Sequence, residues 1–412
     1  MAELYSTFSR LLKANPASTL IDFGFVPPVA SLESQESSYH PFLLIEGNLG
    51  VPANAIPPLC RFSHSVFFKL ANQFSADHKC LADSDLDELD ASSTCLLLMN
   101  PEIYTAWNIR KKLLALQRLN ATEEMALIDL VLSKHPKRPA AWSHRAWLLP
   151  RLRETSTNID KLLTHELKIC DQAAQRHRMN YHAWTHRWKV VRTAPLDFRL
   201  SAFKSTRKYI SSHISEHSAF AHALAVLESI LKDPDFTTPL ELFQEQVLES
   251  MKLIVSYPGH KSPWCYLQGL FLISGRCGLS TVVVDARVRE ELGIVHSVAI
   301  ETVDGSQFSE VDVMDWLEAL IQKHTFDVSQ KEGGILVPLF QFASWIIQAS
   351  KRVIESRKGV AESGTIWHNQ IEIALDFQLY LLLGVDGVDD IKMDLKQNVK
   401  DAGGWPSFLL AV

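Results

Sequence analysis

His182 and His186 stand four residues apart in Tyr181-His-Ala-Trp-Thr-His-Arg187, a spacing at which two imidazoles on one helix can share a zinc ion. A metal site needs further ligands, and no cysteine or carboxylate at a suitable spacing accompanies the pair. His186 also has a counterpart in His144; each directly precedes an arginine, Arg187 and Arg145, so both belong to a repeated phrase and we assign no metal site. Six cysteines (Cys60, Cys80, Cys95, Cys170, Cys265 and Cys277) are scattered without a CxxC pair, which predicts reduced thiols rather than disulfides or structural zinc. The sequence has neither a glycine-rich phosphate loop nor a nucleophile triad, so it reads as lacking a self-sufficient active site.

The repeated phrase is a tryptophan followed at three residues by an arginine: Trp107 and Arg110, Trp142 and Arg145, Trp184 and Arg187. Two fainter copies follow, with Phe220 and Trp264 in the aromatic place and Ala223 and Leu267 where the arginine belongs. Positions three apart share one helical face, so each tryptophan and its arginine address the same neighbour. An indole there fills the space between stacked hairpins, and a guanidinium fork can tie carbonyls or a carboxylate of the next repeat. Trp107, Trp142, Trp184 and Trp264, with the three arginines, therefore read as structural; Glu166, upstream of the third copy, is suited to pairing with a motif arginine. Successive aromatics are 35, 42, 36 and 44 residues apart, too irregular for a tetratricopeptide array with its repeat of about 34 residues.

The elements that carry these residues read as helical hairpins, making the chain all-α. Thr122 is a plausible N-cap, with Glu123 and Glu124 in the first turn, where the helix dipole favours acids, and Lys134 and His135 at the end. Asn100-Pro101 and His135-Pro136 place proline near the first helical position. Phe243, Val247, Met251 and Ile254 form one apolar face before the stop Tyr257-Pro258-Gly259. Residues 1–95 look irregular, with an apolar segment at Pro41 to Ile45, one helix at His64 to Phe74 and a solvated acidic loop at Asp83 to Asp90. Residues 96–275 hold the repeats, and 276–412 form a divergent helical region with a break at Gly333-Gly334. Thr281 to Val284 fits strand or helix, and Leu336 to Ile347 and Ile371 to Leu383 read as helices. A net charge of −6 argues against nucleic acid, and no apolar run is long enough to span a bilayer. The expectation is a soluble cytoplasmic protein.

The phrases at 135–145 and 180–187, with Leu43 to Val51, Thr94 to Pro101 and Ser256 to Cys265, resemble the repeats of protein prenyltransferase alpha subunits over roughly residues 40 to 270. The resemblance implies a right-handed α–α superhelix, a crescent of helical hairpins wrapped around a catalytic beta subunit. Zinc and the isoprenoid diphosphate would sit in that partner; this chain would bind no cofactor. Lys137, Tyr181 and His182 match alpha-subunit positions that face the diphosphate and the substrate. Pro139 stands where a tyrosine is usual, which removes part of that contact. Likeness to the Rab-type alpha subunit in Thr164 to Cys170 implies geranylgeranyl transfer to the C-terminal cysteine of a protein substrate, with a Rab-type beta subunit as the first candidate partner. The alternative is a helical-repeat scaffold that kept the fold and lost the enzyme.

Overall fold

Each tryptophan segment forms a helix that packs back on the amphipathic helix before it. A computed structural model of the chain describes residues 1–28, 38–76, 81–279 and the positions 343, 370, 373, 374, 377 and 378. The described chain divides into two compact units, Met1–Thr193 and Ala194–Val412. In the first, hairpins are formed by α3 (Asp83–Met99) with α4 (Tyr104–Ala115), α5 (Ala121–Lys134) with α6 (Pro139–Thr155), and α7 (Ile159–Arg176) with α8 (Tyr181–Val191). The leading helices α3, α5 and α7 stack in one layer and the tryptophan helices α4, α6 and α8 in another. That two-layer stacking gives one continuous core, as repeat architectures require.

The second unit repeats the plan with α9 (Leu196–Ser212), α10 (His217–Leu231), α11 (Pro239–Ser256) and α12 (Lys261–Arg276). Phe243, Val247, Met251 and Ile254 are all buried on α11, which stops at Tyr257 ahead of Gly259 at φ 82°. Gly269 allows α12 to lie close on α10, since a Cβ there would overlap a Leu224 methyl. Trp264 lies 5.2 Å from Phe377, ring to ring. Thr281 to Val284 and Gly333-Gly334 lie outside the described residues. Of the two C-terminal helices expected from the sequence, only Ala343, Ile373, Ala374, Phe377 and Gln378 are described, and these are helical.

Tryptophan and arginine act through a repeated buried clamp. Arg145 donates to Asp129 of its own hairpin at 2.5 Å and, through Nε and Nη2, to both oxygens of Glu166 on the next at 2.8 and 2.5 Å. Arg110 does the same with Asp90 at 2.7 Å and Glu124 at 2.7 to 3.0 Å. Each glutamate also accepts a 2.7 Å bond from Nε2 of the histidine two places after the next tryptophan, His144 on Glu124 and His186 on Glu166. Those imidazoles lie against the preceding indoles, Trp107 to His144 at 4.5 Å and Trp142 to His186 at 5.3 Å. Arg187 repeats the intra-hairpin half of the clamp, reaching Asp171 at 2.6 Å.

Several sequence expectations change. The acidic stretch from Asp83 is the start of α3, not a loop, and Asp90 is a clamp acid. Asn120, rather than Thr122, caps α5, accepting from the Thr122 and Glu123 amides. Glu123 and Glu124 do stand in the first turn of α5, and Glu124 is in addition buried on Arg110. Pro101 and Pro136 lie three residues ahead of α4 and α6, and their carbonyls accept 2.8 Å bonds from Trp107 and Trp142 Nε1. The first 95 residues are more regular than composition implied. They hold α1 (Ala2–Ala14), α2 (Ile56–Ala76), most of α3 and a sheet of β1 (Asp22–Val26), β2 (Leu43–Ile45) and β3 (Asn48–Pro52). In that sheet β3 is central, parallel to β1 and antiparallel to β2. Its strands are too short to show a period. They are fixed by distant partners: Phe23 N–H donates to Ser133 Oγ at 3.1 Å, and Arg176 pairs with Asp22 at 2.9 Å.

The clamp makes stability sensitive to charge and pH. Burial alone would raise the Glu124 and Glu166 carboxyls, but Arg110 with His144, and Arg145 with His186, outweigh it and hold both at about 2. Burial pushes His144 and His186 below the ordinary imidazole value even though each glutamate pulls the other way. Both are therefore neutral, with the proton on Nε2 and an Nδ1 that has no partner among the described residues. For all four groups the unfolded chain holds more protons as the pH drops. The histidine contribution is complete above roughly 6.5 and erodes below it; the glutamate contribution erodes from roughly 4.3 toward the folded value. Thermal unfolding followed from pH 8 to pH 4 should show a falling midpoint that begins near pH 6.5. Arg145→Ala, which strands Glu166, should lower unfolding free energy by roughly 3–5 kcal/mol in urea titration. A loss of a few tenths would mean the clamp contributes no more than a surface ion pair.

Candidate functional site

The turns that lead into the tryptophan helices form one edge of the first unit. Lys137 sits in the turn between α5 and α6 and is exposed, as is Arg138, which caps α6. Pro139 is the first residue of α6, where its ring suits the helix start and offers no hydroxyl. Tyr181 is the first residue of α8 and 63% exposed, and His182 is half-buried with its ring edge-on to Tyr181 at 5.6 Å. His186 lies elsewhere, inside the clamp on Glu166. The two histidines thus serve different neighbours despite their helical spacing.

Asn180 joins these groups. It is buried, and its Oδ1 accepts from the Ala183 amide at 3.3 Å, closing the first turn of α8. Its Nδ2 donates to the Pro136 carbonyl at 2.8 Å and the Ala173 carbonyl at 3.3 Å. Pro136 precedes Lys137 and Asn180 precedes Tyr181, so one buried amide fixes the lysine turn against the tyrosine helix. The Pro136 oxygen also accepts from Trp142 Nε1. The indole is therefore structural and also holds the turn from beneath.

Sequence reasoning did not single out two members of this edge. Tyr104 stands three residues before Trp107, as Tyr181 does before Trp184, and it is 56% exposed at the start of α4. Its hydroxyl lies 3.4 Å from Glu102. Asn180 was readable as an N-cap type residue but not as the link between two turns, because Pro136 is 44 residues away. Exposed Lys137, Arg138 and Arg178 make this edge cationic in a chain whose net charge is −6. Cations, a phenol and an imidazole at one edge suit an anionic group that arrives from outside the chain.

Comparison with known proteins finds the same repeats in other chains. The sequence family described as protein prenyltransferase alpha subunit repeat matches residues 121–152 and 163–194, which span α5 with most of α6 and most of α7 with α8. The chain is 30% identical over 316 residues to protein prenyltransferase alpha subunit repeat-containing protein 1 of Danio rerio, covering 64% of this chain and 70% of that protein. Its human counterpart is 29% identical over 303 residues, covering 60% and 73%. Human geranylgeranyl transferase type-2 subunit alpha is 26% identical over 196 residues, 44% of this chain and 33% of that protein.

The edge separates surface groups from their support, and the two should respond differently to mutation. Lys137→Ala and Tyr181→Ala should leave urea stability within about 0.5 kcal/mol, as exposed positions do. Asn180→Ala, which strands buried partners, should cost roughly 1–3 kcal/mol. Equal losses at all three positions would mean that the edge residues are themselves structural.

Proposed function

Because the chain belongs to the protein prenyltransferase alpha subunit repeat-containing family, we propose that it serves as the alpha-type subunit of a heterodimeric protein prenyltransferase of the geranylgeranyl type. In this reading it binds and stabilises a catalytic beta subunit, and the lipid goes to a C-terminal cysteine of a protein substrate. Likeness to a geranylgeranyl transferase type-2 alpha subunit makes a Rab-type beta subunit the first partner to try. Among the described residues no cluster of three His, Cys, Asp or Glu side chains could hold a metal ion. In this reading zinc, which would lower the pKa of the substrate thiol, belongs with the beta subunit, as does the lipid pocket.

What this chain contributes to the reaction is charge and position. When the carbon–oxygen bond to the isoprenoid breaks, negative charge gathers on the leaving diphosphate. The Lys137 ammonium, the Tyr181 hydroxyl and the His182 imidazole are donors of the kind that stabilise it. Holding them in place before the reaction means little reorganisation when that charge develops. The observation that carries the reading is the buried bond from Asn180 to Pro136, which ties the lysine turn to the start of the tyrosine helix. The scaffold reading draws instead on Pro139, which lacks a tyrosine's hydroxyl, and on Ala223 and Leu267, which lack the motif guanidinium.

Co-expression with a Rab-type beta subunit, purification and an assay of geranylgeranyl transfer to cysteine-ended protein test the two readings. A copurifying, active pair is expected. Replacing Lys137, Tyr181 and His182 together by alanine should slow transfer about 10- to 100-fold while the dimer stays intact. Failure to copurify with any beta subunit would exclude the enzyme reading, and an unchanged rate in the triple variant would remove these residues from the chemistry.

A further inference from the structure

At the other ends of the helices, where α4 turns into α5, the repeat leaves a gap. Both α4 and α6 begin three residues before their tryptophans, but α4 spans 12 residues and α6 spans 17. The last turns of α6 therefore run past the end of α4. The turn after α4, with Gln117 at φ 57°, closes the gap only in part. The result is a recess of about 600 Å³ lined by Lys111, Arg118 and Arg151, with Trp147, Leu114 and Leu148 among its apolar walls.

The charge in this recess is one-sided. Arg151 lies 3.8 Å from the centre of the Trp147 ring and Lys111 Nζ 5.2 Å from it, so two cations meet on one indole. Arg118 supplies the third from the turn, held from outside by Asp83 and Asp87 at 3.0 and 3.4 Å. No carboxylate is among the described residues that line the recess. Like charges gathered against apolar walls repel one another, and an entering anion relieves that repulsion.

We infer that the recess takes an aspartate or glutamate side chain of a partner protein together with a large apolar side chain beside it. The cations match the carboxylate, and the leucine and tryptophan walls match the apolar neighbour. An inorganic anion would leave those walls unused. A broad anionic surface such as a membrane would meet Asp83 and Asp87, both well exposed beside Arg118. A narrow side chain entering the recess reaches the cations without lying against those acids. A volume of this size suits two or three side chains, within the roughly 300–1,000 Å³ typical of ligand sites.

Random twelve-residue peptides displayed on phage and selected on the full chain test this directly, with the recovered sequences then titrated by fluorescence polarisation. Two variants are compared. Lys111→Gln with Arg151→Gln removes charge; Ala115→Phe keeps every cation and fills the mouth. The expected result is enrichment of an acidic residue beside a large apolar one, with at least ten-fold weaker binding to both variants at an unchanged unfolding temperature. No such enrichment, or full affinity for either folded variant, overturns the proposal. Displacement of the peptides by phosphatidylserine vesicles or by millimolar phosphate also overturns it, pointing to a lipid surface or a free anion.

Discussion

The first unit depends on burying an ion pair and a neutral donor together at each junction between hairpins: an arginine, a glutamate from the next leading helix and a histidine from the next tryptophan helix. Such burial is favourable only when every group is satisfied, because the desolvation cost of an unpaired charge exceeds what an isolated pair returns. Here the guanidinium fork engages both glutamate oxygens, and at the Arg145 junction the second carboxylate, Asp129, is bound from the same hairpin. The histidine fills the remaining acceptor site as a neutral donor. This geometry admits one register between hairpins. Apolar stacking alone would tolerate several, so the clamp supplies specificity while the tryptophans supply area.

The second unit shows what happens when that set of charges is dismantled. Counting eighteen residues back from each aromatic, Glu124 and Glu166 give way to Ala202 and then Gln246. Two residues after the aromatic, His144, His186 and His222 give way to Tyr266. The fifth copy is thus a neutral version of the clamp: the Tyr266 hydroxyl lies 3.4 Å from Gln246 Oε1, and its ring lies 5.6 Å from Phe220. Burial pushes the Tyr266 phenol up to about 12, so it remains a donor throughout the ordinary pH range. At Ala223 the motif arginine is lost together with the acid it would have faced, Gln246 standing in that place. An arginine without that acid would have been a buried unpaired charge, so the two losses belong together.

The candidate edge rests on this framework through short, local geometry. Turns between antiparallel helices are exposed and carry function readily, but only if something holds them still. Trp142 and Asn180 converge on the Pro136 carbonyl, so the lysine turn is supported from its own hairpin and from the next. The repeat thereby converts a core residue and a helix cap into supports for a surface site. It also explains why the outer residues of the edge vary between copies, with exposed Tyr104, half-buried Pro139 and exposed Tyr181 at one position, while the indoles below them persist.

The sequence by itself determined the hairpins. Tryptophan with arginine three places on is a local pattern with a helical period, so helix identity, the buried faces and the family likeness could all be read from Trp107, Trp142 and Trp184. Lys137, Tyr181 and His182 came forward only as candidates, through their resemblance to family positions and not through the repeat itself. Glu166 could be read as a partner of a motif arginine, but only the tertiary structure decided that Asp90, Glu124 and Asp129 are partners too, because they come from other helices 14 to 20 residues away. A composition reading leaves such acids on the surface. For the same reason the sheet and Asn180 stayed hidden: strands of three to five residues carry no period, and their partners are far along the chain. Local spacing fixes which face a side chain occupies; what waits on that face is set by the packing of distant segments.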